Sequence, residues 1–279
     1  MSPLDQGYRA RLNALSAGCL AALAAPPFAL AYAVFGGEAA LWFLGALLLV
    51  GLVRAGGNVA LPGTVNISHR EAPGLFALIE SLARRAGLKK LPEVRIVPGG
   101  PTNAAATLRG NRPVLVITEA LLGRLDVRRL GAVLAHETAH LAHRDLVLFR
   151  LASTLQAATI TLGFLTIFLA VLSVQVDPAS ALLWTVVAAA SPVASRLSAA
   201  LLSRTREFAA DLGAARLTGD PLALADALAI LEYRPRNLWD WVLGRRTPMP
   251  IDPAGNAFRS HPSTPERIHR LDTLAKASR

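Results

Sequence analysis

The feature that most constrains this chain is a set of four long apolar runs. No lysine or arginine occurs between residues 12 and 53 or between residues 151 and 195. The apolar runs lie almost wholly in these gaps, at residues 15–35, 39–53, 151–174 and 179–202. A transmembrane helix needs about 20 apolar residues, so three runs are long enough and the second is short. We predict four transmembrane helices in two hairpins, with a buried or re-entrant helix as the alternative for the second run.

Composition and charge narrow the class of protein. The chain is 53% hydrophobic and 17% charged, which is too apolar for a disordered chain. The single cysteine, Cys19, excludes an intrachain disulfide framework and a cysteine-rich zinc site. The net charge of +10 suits an anionic membrane surface or a nucleic acid. Because the sequence holds no nucleic-acid-binding motif, we expect a lipid bilayer and no nucleic acid as partner.

The basic residues at the ends of the apolar runs predict the orientation. The connectors inside the two hairpins carry the acids Glu38 and Asp177 and no base. The other ends of the runs carry Arg9, Arg11, Arg54, Arg150, Arg204 and Arg206. Basic residues favour the cytoplasmic side. We therefore predict a multi-pass protein of the cytoplasmic membrane, with both termini and all long polar segments in the cytoplasm.

The apolar runs divide the chain into two hairpins and two polar segments. We expect the polar segments to fold together, because the second hairpin returns the chain to the same side. The first hairpin, first polar segment, second hairpin and second polar segment are residues 1–53, 54–146, 147–202 and 203–279. Turn residues and periodicity predict helices at 71–86, 126–144, 203–217 and 221–233, strands at 93–97, 103–107 and 113–118, and a loop at 234–260.

The chemistry of the chain is indicated by the sequence His136-Glu137-Thr138-Ala139-His140. This is the pattern H-E-x-x-H inside a predicted helix. Residues four apart lie on one face of a helix, so His136 and His140 can bind the same zinc ion. Glu137 lies about 100° around the helix and can act as a general base on water beside that ion.

A catalytic zinc site needs a third protein ligand. His143 is close in sequence but lies about 10 Å along the helix axis from His136, too far for one ion to bridge easily. Glu207 is the better candidate, and Asp211, four residues later on the same helix face, can accept the free ring N–H of a ligand histidine. Two solvated carboxylates that balance Arg204 and Arg206 are the alternative.

Together these motifs resemble the HtpX-type membrane zinc metalloproteases, which are relatives of the integral-membrane CAAX prenyl proteases. The resemblance covers residues 66–274, and the order of elements matches along the chain. It implies an α+β zincin-like domain with a small sheet, one Zn²⁺ per chain held by His136, His140 and Glu207, and Asp211 behind a ligand. One departure is Thr138-Ala139, where many relatives have Leu-Gly.

The resemblance also implies roles for three further residues. Asn103 looks like the asparagine of the strand that lines the family's cleft. His261 and Arg267 look like the family's C-terminal His-Pro and Arg-Ile residues that approach the zinc. We therefore expect Asn103 and Arg267 to contact substrate, and His261, or Arg267, to stabilise the oxyanion during catalysis.

The fold class we predict is a mainly α membrane protein with a cytoplasmic α+β catalytic domain. The predicted function is zinc-dependent endoproteolysis of unfolded or membrane proteins in quality control, with Glu137 as the base. A CAAX-type prenyl-protein protease and a non-catalytic membrane scaffold are the alternatives. The loop at 234–260 is the expected position of any self-cleavage, and no oligomeric state follows from the sequence.

Overall fold

The computed structural model describes residues 3–56, 63–99, 101–110, 112–172, 177–231 and 262–277. Two compact units are present. We call the unit within residues 3–56 and 147–205 the helical unit, and the unit within residues 63–146, 206–231 and 262–277 the site unit. The four-segment division stays a prediction. His261 and the predicted loop at 234–260 lie outside the described residues.

Within the described residues, helices come first, a small sheet follows, and further helices complete the chain. The elements are α1 (Pro3–Phe35), α2 (Gly37–Gly56), β1 (Val65–Asn66), α3 (Pro73–Arg85), β2 (Glu93–Val97), β3 (Ala104–Arg109), β4 (Arg112–Thr118), α4 (Glu119–Arg124), α5 (Val127–His143), α6 (Asp145–Leu172), α7 (Pro178–Thr218), α8 (Pro221–Leu231) and α9 (Thr264–Ala277).

Among the described residues, three helices are long and apolar enough to cross a membrane. The qualifying stretches are Ala10–Phe35 of α1, Asp145–Val171 of α6 and Pro178–Thr218 of α7. The second apolar run forms part of α2, but its apolar stretch, Gly37–Val53, is shorter. Three candidate spans thus agree with the sequence, whereas the fourth span and the cytoplasmic orientation stay predictions.

The helices of the helical unit pack through small residues and expose large apolar ones. Phe164 and Leu182 are exposed, as expected for side chains in contact with lipid rather than water. Between α6 and α7, a Cβ added to Gly163 would lie only 3.3 Å from the carbonyl oxygen of Ala188. Small residues of this kind let membrane helices approach closely.

The site unit contains a four-stranded mixed sheet with the order β1-β2-β4-β3. β4 pairs parallel with β2 and antiparallel with β3, so β3 is an edge strand. Leu115 and Ile117 of β4 are fully buried with Leu134 of α5. The predicted strands were right to within two residues at each end, but β1 and α4 were not predicted.

Capping interactions define both ends of α5. Asp126 is the N-cap, as predicted, and its carboxylate accepts a hydrogen bond from the backbone N–H of Arg129 at 2.8 Å. Arg144, the residue after the helix, has the left-handed φ of 58° and donates its backbone N–H to His140 and Leu141 carbonyls. α6 then begins at Asp145, so one left-handed residue joins the two helices.

α7 corrects the predicted boundary between the fourth apolar run and the following helix. The sequence predicted a span at 179–202 and a helix at 203–217, but the structure has one helix of 41 residues. No glycine or proline lies near residue 203, and the surrounding alanine, leucine and arginine residues favour a helix. The sequence of α7 therefore changes from apolar to polar along its length without a break in the helix.

Candidate metal centre

Two histidines of α5 and one glutamate of α7 come together inside the site unit. The Nε2 atoms of His136 and His140 are 3.1 Å apart. Glu207 places one carboxylate oxygen 3.5 Å from Nε2 of His136 and the other 3.8 Å from Nε2 of His140. All three side chains are buried. The structure thus brings together the three residues that the sequence analysis named as metal ligands.

The spacing of these atoms fits a zinc ion. Ligand atoms at 2.0–2.1 Å from a tetrahedral zinc lie about 3.3–3.4 Å from one another. The three separations given above, from 3.1 to 3.8 Å, bracket that value. Two imidazoles and one carboxylate also form the donor set of known catalytic zinc sites. The residues present therefore fit a bound zinc ion.

The ring of His136 is oriented by Asp211. Nδ1 of His136 is 3.0 Å from Oδ1 of Asp211, so the Nδ1–H donates to the carboxylate and Nε2 is left to bind a metal. Arg267 of α9 holds Asp211 with two hydrogen bonds, of 2.6 and 2.9 Å, and its Nη1 is 3.4 Å from Glu207. Arg267 therefore contacts acids around the site, and the contact with substrate or oxyanion that the resemblance implies for it stays a prediction.

The ring of His140 is oriented by an acid that the sequence analysis did not assign. Nδ1 of His140 is 2.7 Å from Oδ2 of Asp145, the first residue of α6. Asp145 is fully buried, and the buried Arg206 of α7 donates to it. One signal was available, because Asp145 is the only acidic residue between Glu137 and Asp177 and stands at the start of an apolar run.

The charges in this cluster leave room for a divalent cation. The buried or half-buried acids are Glu137, Asp145, Glu207 and Asp211, and the cations that contact them are Arg206 and Arg267. Formally this leaves two negative charges. Since buried charges in proteins are paired or bind metals, one Zn²⁺ would neutralise the cluster.

The acids also change the pKa of His136. Burial lowers this pKa, but hydrogen bonds to Asp211 and Glu207 outweigh burial and raise it from 6.5 to about 9. For Arg267, burial lowers the pKa, and the pairing with Asp211 raises it overall. Because a histidine must be neutral to bind a metal, zinc binding has to displace a proton from His136.

Glu137 is held by the edge strand of the sheet. Its Oε2 accepts a hydrogen bond from the backbone N–H of Ala106 in β3, at 2.7 Å. This bond orients the carboxylate on the same helix that carries both ligand histidines. β3 thus lies beside the predicted base.

A very close contact between α5 and α7 sets the distance between the two ligand histidines of α5 and the ligand Glu207 of α7. A Cβ added to Gly213 of α7 would lie 2.7 Å from the Cβ of Ala139 on α5. Ala139 is part of the departure from the family pattern noted in the sequence, where the resemblance implies a glycine. The structure places Gly213 opposite Ala139, so the small residue that permits the close approach is present on the partner helix.

Asn103 and His143 are the remaining candidate residues within the described ranges. The backbone of Asn103 bonds to Thr118, which accepts from the Asn103 N–H at 2.9 Å and donates its backbone N–H to the Asn103 carbonyl at 3.0 Å. The backbone of Asn103 is thus engaged with β4. His143 is not part of the metal-ligand cluster found among the described residues. His261 lies outside the described residues.

An H-E-x-x-H helix whose histidines meet a glutamate from a second helix defines a metallopeptidase. The chain belongs to peptidase family M48, whose family profile matches residues 69–275. With its apolar helices it is a membrane metalloprotease of the HtpX type, which confirms the resemblance seen in the sequence.

Curated relatives support this assignment, and one solved structure has a similar fold. A protease HtpX homolog of Sulfurihydrogenibium is 32% identical over 78% of this chain and 79% of its own length. A protease HtpX homolog of Nostoc is 34% identical over 92% of this chain and 94% of its own length. The fold is similar to the crystal structure of Ste24p from S. mikatae, with a TM-score of 0.57, 23% identity, and coverage of 84% of this chain and 58% of Ste24p.

Proposed function

We propose that this protein is a zinc-dependent endopeptidase of the cytoplasmic membrane that cleaves unfolded or membrane proteins. The observation that carries the proposal is the buried cluster of His136, His140 and Glu207, with Glu137 on the same helix. A scaffold protein has no physical need for this arrangement. One zinc ion per chain, held by the three ligands, would supply Lewis acidity toward the scissile carbonyl and lower the pKa of water at the site.

In this mechanism Glu137 accepts the proton of the attacking water and passes it to the leaving amine. The N–H of Ala106 keeps one carboxylate oxygen fixed, so the base is oriented before substrate binds. Arg267 holds Asp211 and Glu207 in place through the contacts given above. These contacts support a role in ordering the ligands, while an oxyanion contact from His261 stays a proposal.

The substrate is proposed to be a polypeptide bound in extended form along β3. An edge strand can pair with an added strand through main-chain groups, and such pairing depends little on side-chain identity. Broad sequence tolerance suits the clearance of damaged proteins, which is the quality-control role we propose. Asn103 is proposed to contact substrate through its side chain, since its backbone is bonded to Thr118.

The membrane orientation follows from the arginines that flank the apolar runs. We propose that both termini and the metal centre face the cytoplasm, because basic residues cluster at those ends of the runs. Polypeptides of the cytoplasm and cytoplasmic segments of membrane proteins would then reach the site directly.

Proteolysis by the detergent-purified full chain tests the proposal. The protein is purified in chelator, zinc is added back, and cleavage of an unfolded model protein is measured beside Glu137→Ala. Zinc-dependent cleavage that is absent from the variant supports the proposal. Cleavage of a prenylated CAAX peptide but not of the unfolded protein would favour the prenyl-protein alternative. Zinc binding without cleavage of either substrate would favour the scaffold.

A further inference from the structure

The contacts around His140 reproduce those around His136. Each ligand histidine directs Nδ1 at a buried aspartate, and each aspartate is bonded by an arginine from another helix. For His136 these partners are Asp211 and Arg267, and for His140 they are Asp145 and Arg206. The first pair includes the acid that the family resemblance places behind a ligand. The second pair has no assigned role.

We infer that Asp145 and Arg206 are positioning residues that hold the metal ligand His140 in its binding orientation. Asp145 accepts the Nδ1–H of His140 at 2.7 Å, which leaves Nε2 to face the metal. The inference rests on the proposed function, because it assigns partners to that same zinc site. It predicts that Asp145 matters for zinc affinity to about the same degree as Asp211.

Burial distinguishes this role from an ordinary helix-capping role. An acid in the first turn of a helix is commonly solvated and acts through the helix dipole. Asp145 is 0% exposed and Arg206 is 2% exposed, so neither charge is solvated. A buried carboxylate needs a charged or hydrogen-bonding partner; Arg206 supplies the opposite charge, while Asp145 accepts from the histidine.

The position of Arg206 adds a second consequence. Arg206 immediately precedes the ligand Glu207 on α7, while Asp145 lies two residues beyond the end of α5, the helix of both histidines. Their ion pair therefore joins the helix that carries Glu207 to the turn that follows the histidines. The ion pair thus helps to set the distance between the ligand histidines and Glu207, in addition to orienting the ring of His140.

The test is zinc affinity of the full chain in detergent, measured by competition with a chelator. Asp145→Asn alone leaves the Arg206 cation buried without its partner, which can unfold the protein. The main variant is therefore the double change Asp145→Asn with Arg206→Gln, which removes both charges and keeps similar volumes. Asp126→Asn is the matched control, because Asp126 caps α5, asparagine caps equally well, and Asp126 contacts no ligand.

We expect the double variant to bind zinc about 10- to 100-fold more weakly, with an altered absorption spectrum of bound Co²⁺. Its Tm in chelator should stay near that of the wild type, and Asp126→Asn should match the wild type throughout. A wild-type zinc affinity and Co²⁺ spectrum in the double variant would overturn the inference. If the double variant does not fold, Asp145→Glu, which keeps the charge that pairs with Arg206 but displaces the carboxylate from Nδ1 of His140, is judged by the same affinity and spectrum. A wild-type chain that binds no zinc would instead refute the proposed function, and this inference with it.

Discussion

The close contact between Gly213 and Ala139 predicts that a larger residue at position 213 weakens zinc binding. In Gly213→Ala the new Cβ would lie 2.7 Å from the Cβ of Ala139, whereas carbon atoms in contact lie about 3.5–4.0 Å apart. The two helices must therefore separate by roughly 1 Å at this point. Gly213 lies six residues after Glu207 and two after Asp211, so this separation would also act on the ligand set.

The size of the effect follows from the cost of overpacking, which is about 1–3 kcal/mol. If the zinc-bound state bears that cost, zinc affinity falls by about 5- to 150-fold. Helix propensity alone predicts that Gly213→Ala stabilises α7, because alanine favours a helix by about 1 kcal/mol over glycine. The direction of the change in Tm and in zinc affinity therefore separates packing from propensity.

The assay is chelator competition on the detergent-purified protein, together with Tm in zinc and in chelator. The double variant Gly213→Ala with Ala139→Gly exchanges the two residues and should recover most of the lost affinity. Gly123→Ala is a matched control on α4, where an added Cβ meets nothing within 4 Å. The reasoning fails if Gly213→Ala binds zinc as tightly as the wild type, or if the exchanged pair does not recover affinity.

Four further predictions concern individual residues. Glu137→Gln should abolish peptide cleavage and retain zinc, and full turnover by this variant would exclude Glu137 as the base. Asp211→Ala should weaken zinc retention by roughly 10- to 100-fold in the same competition assay, and an unchanged affinity would remove Asp211 from the support of His136. Because the pKa of His136 is raised to about 9, zinc affinity should rise with pH from about 6.5 to 9 as the displaced proton becomes easier to lose, and calorimetry in buffers of different ionisation enthalpy should detect proton release at pH 7. Arg144→Gly should keep or raise Tm, since glycine adopts the φ of 58° readily, whereas Arg144→Val should lower stability by roughly 1–2 kcal/mol.

The sequence predicts those features of the fold that depend on local signals or on a fixed spacing of residues. The H-E-x-x-H helix was predicted with its N-cap, because four-residue spacing and an N-cap aspartate are local signals. β2 was predicted with both of its ends, since it is bounded by turn residues. Candidate spans α1, α6 and α7 follow from hydropathy alone. The family assignment followed from several short motifs in the right order.

The features that the sequence analysis missed depend on contacts between distant segments. β1 has two exposed residues and carries no alternating pattern. Nothing in the local sequence shows that Arg206 meets Asp145, 61 residues earlier. The contact of Arg267 with Asp211, 56 residues away, was likewise not visible in the local sequence, and its expected contact with substrate stays a prediction.

Ala139 shows why a local departure from a family pattern is hard to interpret by itself. An alanine in place of glycine adds one methyl group, and that group needs space on the facing helix. In this chain Gly213 provides the space from 74 residues away. What the close approach of α5 and α7 requires is a small residue on at least one side, so the property belongs to the pair. Exchange of the two residues tests this directly, because a requirement for alanine at position 139 itself would leave the exchanged variant as weak as Gly213→Ala.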